Sequence, residues 1–255
     1  MKAKDILDLA MYAGKIMLES GAEVYRVEDT IARICRSFGA TRIECTVTVT
    51  VMEATIIYQE EVVTLIQRVR KREINLTKIE RINQLSRDVA VGLSDIRSAE
   101  KLLDEINSIH SYPLLWLVFF SGVSSAFFCL MFKGQLTSAL LAFITGAVTR
   151  LILILLQKIN VTGFINDLVG GMLISGVAIG LESLLKTGDF NEIIIGSIMI
   201  LVPGIAITNA ILDIFHQDYI SGTVKTVDAI ITIVAVSSGV AIIFTLFDVI
   251  SGGFL

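Results

Sequence analysis

Helical and strand periodicities follow one another over the first 110 residues. A helix over about 3–19 is predicted by apolar residues that share one helical face: Ile6, Leu9, Ala10, Ala13, Ile16 and Met17. Gly21 suits the left-handed backbone that ends a helix, and Ser20 with Glu23 has the spacing of a capping box. A second helix is therefore predicted from this box to Gly39.

A strict alternation of apolar and polar residues over 43–51 predicts a β-strand. Segments 54–58 and 62–69 predict two further antiparallel strands. Two more helices are predicted at about 76–91 and 94–109, the second with Ser94 as its N-cap. The residues expected to face inward are Leu76, Ile79, Ile82, Leu85 and Val89, then Ile96, Ala99, Leu102, Leu103 and Ile106.

Five apolar runs occupy the rest of the chain, at about 112–132, 136–157, 164–185, 193–215 and 224–247. Each has about 20 residues or more, the length that crosses a hydrocarbon core about 30 Å thick. The runs therefore predict five transmembrane helices. Two patterns of small residues, Gly176-x-x-x-Gly180 and Ala142-x-x-x-Gly146, are expected to let these helices pack closely.

Composition favours the same division of the chain. Charged residues make up only 18% of it, against about 25% in soluble domains, and its mean hydropathy is +0.75. The first 111 residues hold 16 of the 21 Lys and Arg and 17 of the 25 Asp and Glu. The predicted fold is an α+β cytoplasmic domain in the order ααβββαα at 1–110, followed by an all-α domain of five transmembrane helices at 111–255. A net charge of −4 without a basic patch argues against a nucleic-acid partner.

The positions of Lys and Arg predict the orientation in the membrane. Arg97 and Lys101 lie close to the first apolar run, which places the amino-terminal domain in the cytoplasm. An odd number of spans then places the carboxyl terminus outside the plasma membrane. The first residues are charged throughout, so no cleaved signal peptide is expected.

Motifs for metal, cofactor and hydrolytic chemistry are missing. Cys35, Cys45 and Cys129 form no CxxC pair and the only histidines are His110 and His216, so neither a zinc site nor a disulfide framework is expected. The sequence also lacks a phosphate-binding loop, a dinucleotide fingerprint, a nucleophile elbow and a zinc-protease motif. No cofactor, metal or catalytic residue is therefore predicted.

Six polar residues lie within the apolar runs, in the half nearer the cytoplasm: Arg150, Asn166, Asp167, Asn209, Asp213 and Asp228. Such groups are costly in a bilayer and usually face a protein interior or a watery cavity, so each is a functional candidate. The alternatives are that Arg150 reaches the headgroups, that Asn166 or Asp167 caps a helix, and that Asp228 lies at the interface. Asn209 and Asp213 share one helix face, which favours a lined cavity.

Pro203-Gly204 falls about ten residues into the fourth run, or about 15 Å deep. Proline removes a backbone donor and clashes with the preceding turn. A break here would free carbonyl groups and expose a half-helix amino terminus that attracts anions, as at the binding sites of transporters. The alternative is a simple kink against a neighbouring helix.

Four segments resemble the threonine/serine exporter family: Ser20-Gly-Ala-Glu-Val-Tyr-Arg-Val-Glu-Asp-Thr30, residues 75–87, Leu201-Val-Pro-Gly-Ile-Ala-Ile-Thr-Asn-Ala-Ile-Leu-Asp213, and Tyr219-Ile-Ser-Gly222. The likeness runs along nearly the whole chain. Full-length exporters resemble this chain fused to a further block of membrane helices, so the chain resembles the short, YjjP-like form. Residues 46–55 lack the Pro-Thr-Gly-like segment of many members, which leaves the chemistry of the soluble domain open.

The resemblance implies a secondary exporter of small carboxylates, threonine and serine or succinate, that works with a separate YjjB-like membrane subunit. In such an exporter Arg150, Pro203, Gly204 and Asn209 are expected to bind substrate. Asp213 and Asp167 are the expected carriers of a coupling proton. The family signature in the cytoplasmic domain comprises Ser20, Gly21, Glu23, Arg26, Glu28 and Asp29.

A second hypothesis places the function in the soluble domain. The polar groups of the signature are dense enough for the site of a hydrolase or a ligand sensor, with the spans serving as an anchor. The alternative explanation of these groups is a capped helix start whose charges pair at the surface.

Overall fold

A computed structural model describes residues 2–69, 73–109, 112–159 and 161–251. Within these residues the chain has ten helices and one three-stranded sheet. The elements are α1 Ala3–Glu19, α2 Val24–Ser37, β1 Arg42–Val47, β2 Val51–Tyr58, β3 Glu61–Arg68, α3 Leu76–Ala90, α4 Ile96–Asn107, α5 Leu114–Met131, α6 Leu136–Gln157, α7 Gly163–Leu185, α8 Phe190–Ile198, α9 Gly204–Phe215 and α10 Tyr219–Ser251.

The chain divides into two compact units. Unit 1 comprises Met1–Ser111 and Ile205–Thr226, and unit 2 comprises Tyr112–Gly204 and Val227–Leu255. Unit 1 therefore includes α9 and the start of α10, although about a hundred residues of unit 2 lie between them and the rest of unit 1.

Helix α1 forms the centre of unit 1. All six residues predicted to face inward are buried, and Leu7, Met11 and Leu18 on its other sides are buried as well. The helix packs against α2, α3, α4, β2 and β3. Gly14 allows the close approach of α2, because a Cβ atom there would lie 2.7 Å from Cδ1 of Ile31. Lys4, Asp5 and Asp8 are exposed on the remaining side, so α1 is an amphipathic helix whose buried face is wide enough to contact five other elements of the unit.

The α1–α2 turn differs from the prediction in one respect. Ser20 is the C-cap of α1, and Gly21 has the predicted left-handed backbone, with a φ of 88°. The predicted capping box is wrong, because the N-cap of α2 is Glu23, whose own side chain makes no capping hydrogen bond. Ser94 is likewise not the N-cap of α4; Asp95 is, and it accepts the N–H of Ser98 at 3.1 Å.

The sheet is antiparallel in the order β1-β2-β3, and Met52, Ala54 and Ile56 of its central strand are buried. The strand predicted over 43–51 is wrong in its extent, because it ends at Val47 and turns back at Val51. The Thr48 N–H donates to the Val51 carbonyl at 2.8 Å and closes the turn. Apolar and polar residues continue to alternate through this turn, so the pattern alone does not reveal it.

Helices α3 and α4 confirm most of the predicted inward-facing residues. Leu76 and Leu102 are the exceptions, with 60% and 41% of their surfaces exposed. Each lies at the edge of the buried face of its helix, so a large part of its side chain faces solvent.

The predicted fold class, with its order ααβββαα and five transmembrane helices, is wrong. Among the described residues only four helices are long and apolar enough to cross a membrane: α5, α6, α7 and α10. The fourth predicted run, 193–215, divides into α8 of 9 residues and α9 of 12 residues, with no α-helix over 199–203. Pro203 lacks the N–H that would continue the helix, and its ring clashes with the preceding turn. The stated order also omits α9, which belongs to unit 1.

Small residues bring the helices of unit 2 together. A Cβ atom on Gly146 of α6 would lie 2.1 Å from Oγ of Ser125, so the predicted close packing at Ala142-x-x-x-Gly146 is confirmed. The same prediction for Gly176-x-x-x-Gly180 is wrong, since a Cβ atom on either glycine would meet nothing within 4 Å. On the other face of α7, a Cβ atom on Gly171 would lie 2.2 Å from the carbonyl oxygen of Val236.

Candidate functional site

Two side chains of α9 hold the α1–α2 turn of unit 1. Asn209 Nδ2 donates to the Gly21 carbonyl at 2.8 Å, and Asp213 Oδ1 accepts the Val24 N–H at 3.1 Å. The two residues are one helical turn apart, on the face that their spacing predicts. These two hydrogen bonds join residues that are 188 and 189 positions apart in the sequence. The α1–α2 turn and α9 both belong to segments that resemble the threonine/serine exporter family.

Asp213 supplies the cap that the sequence of α2 lacks. Its carboxylate lies at the first turn of α2, where N–H groups have no partner within the helix and the helix dipole favours a negative charge. Asp213 is fully buried, and its Oδ2 lies 2.6 Å from Nζ of Lys225 on α10. The Lys225 side chain is 12% exposed, so both partners of this ion pair are removed from water.

Two further carboxylates stand near this pair. Glu28 lies one turn after Val24 on α2, and its Oε1 accepts the Val47 N–H at 2.8 Å. The Asp218 N–H donates to the Asp213 carbonyl at 2.9 Å. We call Asn209, Asp213, Lys225, Glu28 and Asp218 the junction cluster.

Burial raises the pKa of Glu28, and the negative charges of Asp218 and Asp213 raise it further, against the opposite effect of the Val47 N–H. Burial also raises the pKa of Asp218, assisted by Asp213 and opposed by His216 and Lys225. The cluster therefore contains three carboxyl groups and one lysine, which pairs with Asp213.

An aromatic pair lies beside the junction cluster. The rings of Tyr25 and His216 stack with centroids 3.7 Å apart and planes 5° from parallel. Nδ1 of His216 lies 2.8 Å from the Leu212 carbonyl oxygen, which fixes the orientation of the ring. This pair adds a second contact between α2 and the segment that follows α9.

The other signature residues have structural partners. Glu23 and Arg26 form an ion pair at 3.1 Å, Asp29 pairs with Arg33, and Ser20 is buried at the end of α1. These contacts match the alternative in which the signature is a helix start with paired charges.

Arg150 lies on α6 in unit 2, half-buried beside a groove of about 850 Å³. The groove is lined mainly by aromatic and hydroxyl side chains: Tyr112, Trp116, Phe120, Ser121 and Ser124. The structure records no ion pair for Arg150 among the residues it describes. The guanidinium is thus the charged group of an otherwise largely apolar groove.

The remaining polar candidates of unit 2 lie on α7 and α10. Asp167 Oδ2 accepts the hydroxyl of Thr232 at 2.9 Å, which joins these two helices. Asn166 is buried within α7, and its Oδ1 has no hydrogen-bond partner among the described residues. Neither residue caps α7, because its N-cap is Thr162, so that alternative is wrong. Asp228 is exposed on α10.

Pro203 ends the non-helical segment over 199–203, and Gly204 begins α9 directly after it. The residues predicted to bind substrate thus fall into two groups. Arg150, Pro203 and Gly204 belong to unit 2, and Asn209 belongs to unit 1. The two predicted proton carriers are divided in the same way, with Asp213 in unit 1 and Asp167 in unit 2.

Sequence reasoning did not single out Lys225, Asp218, Tyr25 or His216 as candidates. Lys225 carries a usable signal, because a lysine in the first turns of an apolar run needs a partner for its charge. Tyr25, His216 and Asp218 carry no comparable signal, since they occur in polar surroundings.

The described residues contain no group of three His, Cys, Asp or Glu side chains arranged to hold a metal ion. His110 lies outside the described residues. Cys35 is buried and Cys45 is half-buried, and burial is the main cause that raises the pKa of each thiol to about 12. Cys129 is buried in α5.

Comparison with known proteins adds a family and several relatives. Residues 8–247 match the sequence family described as "Putative threonine/serine exporter". The chain is 25% identical over 241 residues to the "Probable succinate transporter subunit YjjP" of Klebsiella aerogenes, covering 93% of this chain and 92% of that protein. It is 24% identical to the protein of the same name from Escherichia coli, with 93% of each chain covered. No solved structure matches.

Longer relatives are matched over part of their length. The chain is 23% identical over 247 residues to the "Probable threonine/serine exporter" of Mycobacterium tuberculosis, covering 95% of this chain and 46% of that protein. The "Threonine/serine exporter" of Corynebacterium glutamicum is also 23% identical, with 46% of its length covered. The chain therefore spans about half the length of these two proteins.

Proposed function

Because this chain belongs to the threonine/serine exporter family, we propose that it is a subunit of a membrane exporter of small carboxylate metabolites. A transport role is supported by the relatives, which are named as a succinate transporter subunit and as threonine/serine exporters. Four long apolar helices among the described residues fit an integral membrane protein. The proposed substrates are threonine, serine and succinate, all of which carry a carboxylate.

The observation that carries the proposal is the buried Asp213–Lys225 pair at the α1–α2 turn. A buried ion pair gains little net stability, because the cost of removing both charges from water offsets their attraction. Such a pair is better suited to a switch, since neutralising one partner leaves the other charge buried and alone. A proton that neutralised a carboxylate here would act directly on the α1–α2 turn.

We propose that export is coupled to the proton gradient through carboxylates, with Asp213 in unit 1 and Asp167 in unit 2 as the candidates. Asp213 is supported by its ion pair, and Asp167 by its hydrogen bond to Thr232 between two apolar helices. For the substrate, Arg150 is proposed to attract the carboxylate within unit 2, where Pro203 and Gly204 are further candidates, and Asn209 of unit 1 is a separate candidate.

A separate YjjB-like integral membrane subunit is the proposed partner. The two relatives that match along nearly their whole length are each called a transporter subunit, which supports an assembly of more than one chain. We propose that the amino terminus lies in the cytoplasm, because most of the Lys and Arg precede residue 112. The expected external carboxyl terminus depended on five spans, and that number is wrong.

Transport into inverted membrane vesicles tests the proposal. In inverted vesicles the lumen corresponds to the outside of the cell. Vesicles that contain this chain and the YjjB-like subunit should accumulate labelled threonine, serine or succinate when the lumen is more acidic than the surrounding medium. Asp213→Asn keeps an oxygen for the Val24 N–H but loses the charge that faces Lys225, and it should abolish proton-driven uptake.

The matched control is Asp8→Asn, which neutralises an exposed carboxylate on α1 and should leave uptake unchanged. Both variants should reach the membrane in equal amounts. Absence of proton-dependent uptake of all three substrates by the unaltered protein would contradict the proposed function. Full uptake by Asp213→Asn would remove only that residue from the mechanism.

A further inference from the structure

The three carboxyl groups of the junction cluster have unequal surroundings. Asp213 has two favourable contacts, the Val24 N–H at the start of α2 and the ammonium group of Lys225. Glu28 has one recorded hydrogen bond, from the Val47 N–H, and faces the charges of Asp213 and Asp218. Two neighbouring carboxyl groups whose surroundings differ in this way divide the acid and base roles between them.

Access to water separates the same two groups. Asp213 is fully buried, with its oxygens directed at a backbone N–H and at Lys225. Glu28 is half-buried, so part of its surface reaches solvent. A residue that takes up and releases a proton in each transport cycle needs access to water, and Glu28 is the more accessible of the two.

The charges of neighbouring groups on the surrounding elements also favour the neutral form of Glu28. Asp213 on α9 and Asp218 in the segment that joins α9 to α10 both disfavour a negative charge on Glu28. Lys225 pairs with Asp213, and His216 stacks on Tyr25 and acts on Asp218. Strand β1 contributes Cys45, whose pKa of about 12 keeps it a neutral thiol.

On the premise that transport is proton-coupled, we propose that Glu28, in place of Asp213, is the residue of the junction cluster that binds the proton, while Asp213 stays the ion-pair partner of Lys225. The proton comes from water and is carried on Oε2, because Oε1 accepts the Val47 N–H. Asp213 is then a positioning residue, which holds Lys225 and the α1–α2 turn.

The two states of Glu28 differ in the charge that Asp213 and Asp218 experience. With Glu28 protonated, the cluster contains the carboxylates of these two residues; with Glu28 ionised, a third negative charge is added. The added repulsion weakens the hold of Asp213 on the first turn of α2. Proton binding at Glu28 thus tightens the contact between α9 and the α1–α2 turn, and proton release loosens it.

Infrared spectroscopy of the full chain in lipid bilayers tests this assignment without any transport assay. Glutamate labelled with ¹³C at its side-chain carboxyl separates the carboxylic-acid band of Glu from that of Asp. The unaltered protein should retain a Glu carboxylic-acid band at pH values where exposed glutamates are ionised. Glu28→Gln should remove this band, and the control Glu44→Gln, at a 70% exposed side chain, should keep it.

Asp213→Asn should behave differently from Glu28→Gln, because it retains the carboxyl group of Glu28. Asp213→Asn should keep the Glu band but move its midpoint to lower pH, because a negative neighbour is lost and Lys225 is left unpaired. Persistence of the band in Glu28→Gln, a midpoint in Asp213→Asn that is unchanged or moves to higher pH, or absence of the band from the unaltered protein would overturn the assignment. Glu28→Asp, which retains a carboxyl group, should retain proton-driven uptake in part and shows that any loss in Glu28→Gln is not a failure to fold.

Transport measurements keep the two proposals apart. If the unaltered protein shows proton-driven uptake and Glu28→Gln keeps it in full, the assignment of Glu28 fails and the proposed function stands. If the unaltered protein shows no proton-driven uptake while the infrared band behaves as expected, the proposed function fails and the protonation of Glu28 stands.

Discussion

Units 1 and 2 bury their residues by different means. In unit 1 the core consists largely of large aliphatic side chains, and α1 contributes several of them, such as Leu7, Met11 and Ile16. In unit 2 the helices approach each other through glycine, alanine and serine, to the point where a methyl group on Gly171 would overlap a backbone oxygen. Apolar burial stabilises a fold in water, whereas close backbone packing stabilises helix association in lipid.

Several polar side chains also differ between the units, in how far along the chain their hydrogen-bond partners lie. In unit 2 the hydroxyls of Ser125, Thr145 and Ser175 each donate to a carbonyl four residues earlier in their own helix. In unit 1, Asn209 and Asp213 reach backbone groups almost 190 residues away. These three hydroxyls find their acceptors within their own helices, whereas the long-range bonds of Asn209 and Asp213 in unit 1, and that of Thr232 in unit 2, join segments that are distant along the chain.

The largest expected effect is from removing a side chain in the core of unit 1. Leu7→Ala should cost about 2–5 kcal/mol, because it deletes buried methyl groups and leaves a cavity under α1. Hydrogen exchange at the amides of α1 in the full chain measures this change. Leu76→Ala, at a leucine that is 60% exposed, is the control and should change exchange little; equal effects would contradict the description of this core.

A smaller effect, of the opposite kind, is expected from adding a methyl group in unit 2. Gly171→Ala should destabilise the unit by about 1–3 kcal/mol, because the new Cβ would lie 2.2 Å from the Val236 carbonyl oxygen, which cannot rotate away. The thermal midpoint of the detergent-solubilised protein measures it. Gly176→Ala on the same helix meets nothing within 4 Å and should be neutral, so a similar loss there would refute close packing as the cause.

The smallest effect is expected at the hydrogen bond between α9 and the α1–α2 turn. Asn209→Ala removes the donor to the Gly21 carbonyl and should cost about 0.5–1.5 kcal/mol. Faster amide exchange at Gly21 to Val24, with little change elsewhere in unit 1, is the expected observation. Ile211→Ala, at a 47% exposed residue on the opposite side of the same helix, should leave these amides unchanged, and a uniform change throughout unit 1 would contradict a local role.

Local patterns predicted the helices of unit 1 better than the turns and caps that connect its elements. The apolar residues of α1 follow the 3.6-residue period, and its bounds agree with the prediction. Strand 43–51 shows the limit of the same method, because the two-residue alternation continues through the turn at Thr48 and gives no sign of it. The cap of α2 was assigned to Ser20 because sequence patterns reveal only capping residues that are close along the chain. The acceptor of the Val24 N–H is instead Asp213, which is 189 positions away.

Hydropathy was misleading for residues 193–215. The run is long enough to cross a bilayer, and the break at Pro203-Gly204 could be predicted from the residues themselves. The sequence did not reveal that the second piece, α9, belongs to unit 1, since that depends on hydrogen bonds from Asn209 and Asp213 to distant partners. The spacing of these two residues predicted a shared face, but not what that face contacts.

The surroundings of the three cysteines have a practical consequence. Cys35 and Cys129 are buried, and the thiol of Cys45 is half-buried with a pKa of about 12, so almost none of it is a thiolate at neutral pH. Thiolate is the form that reacts with maleimides and disulfide reagents. A single cysteine introduced at an exposed position should therefore be labelled selectively in the unaltered background, and the sidedness of each loop can be read chemically without first replacing the native cysteines.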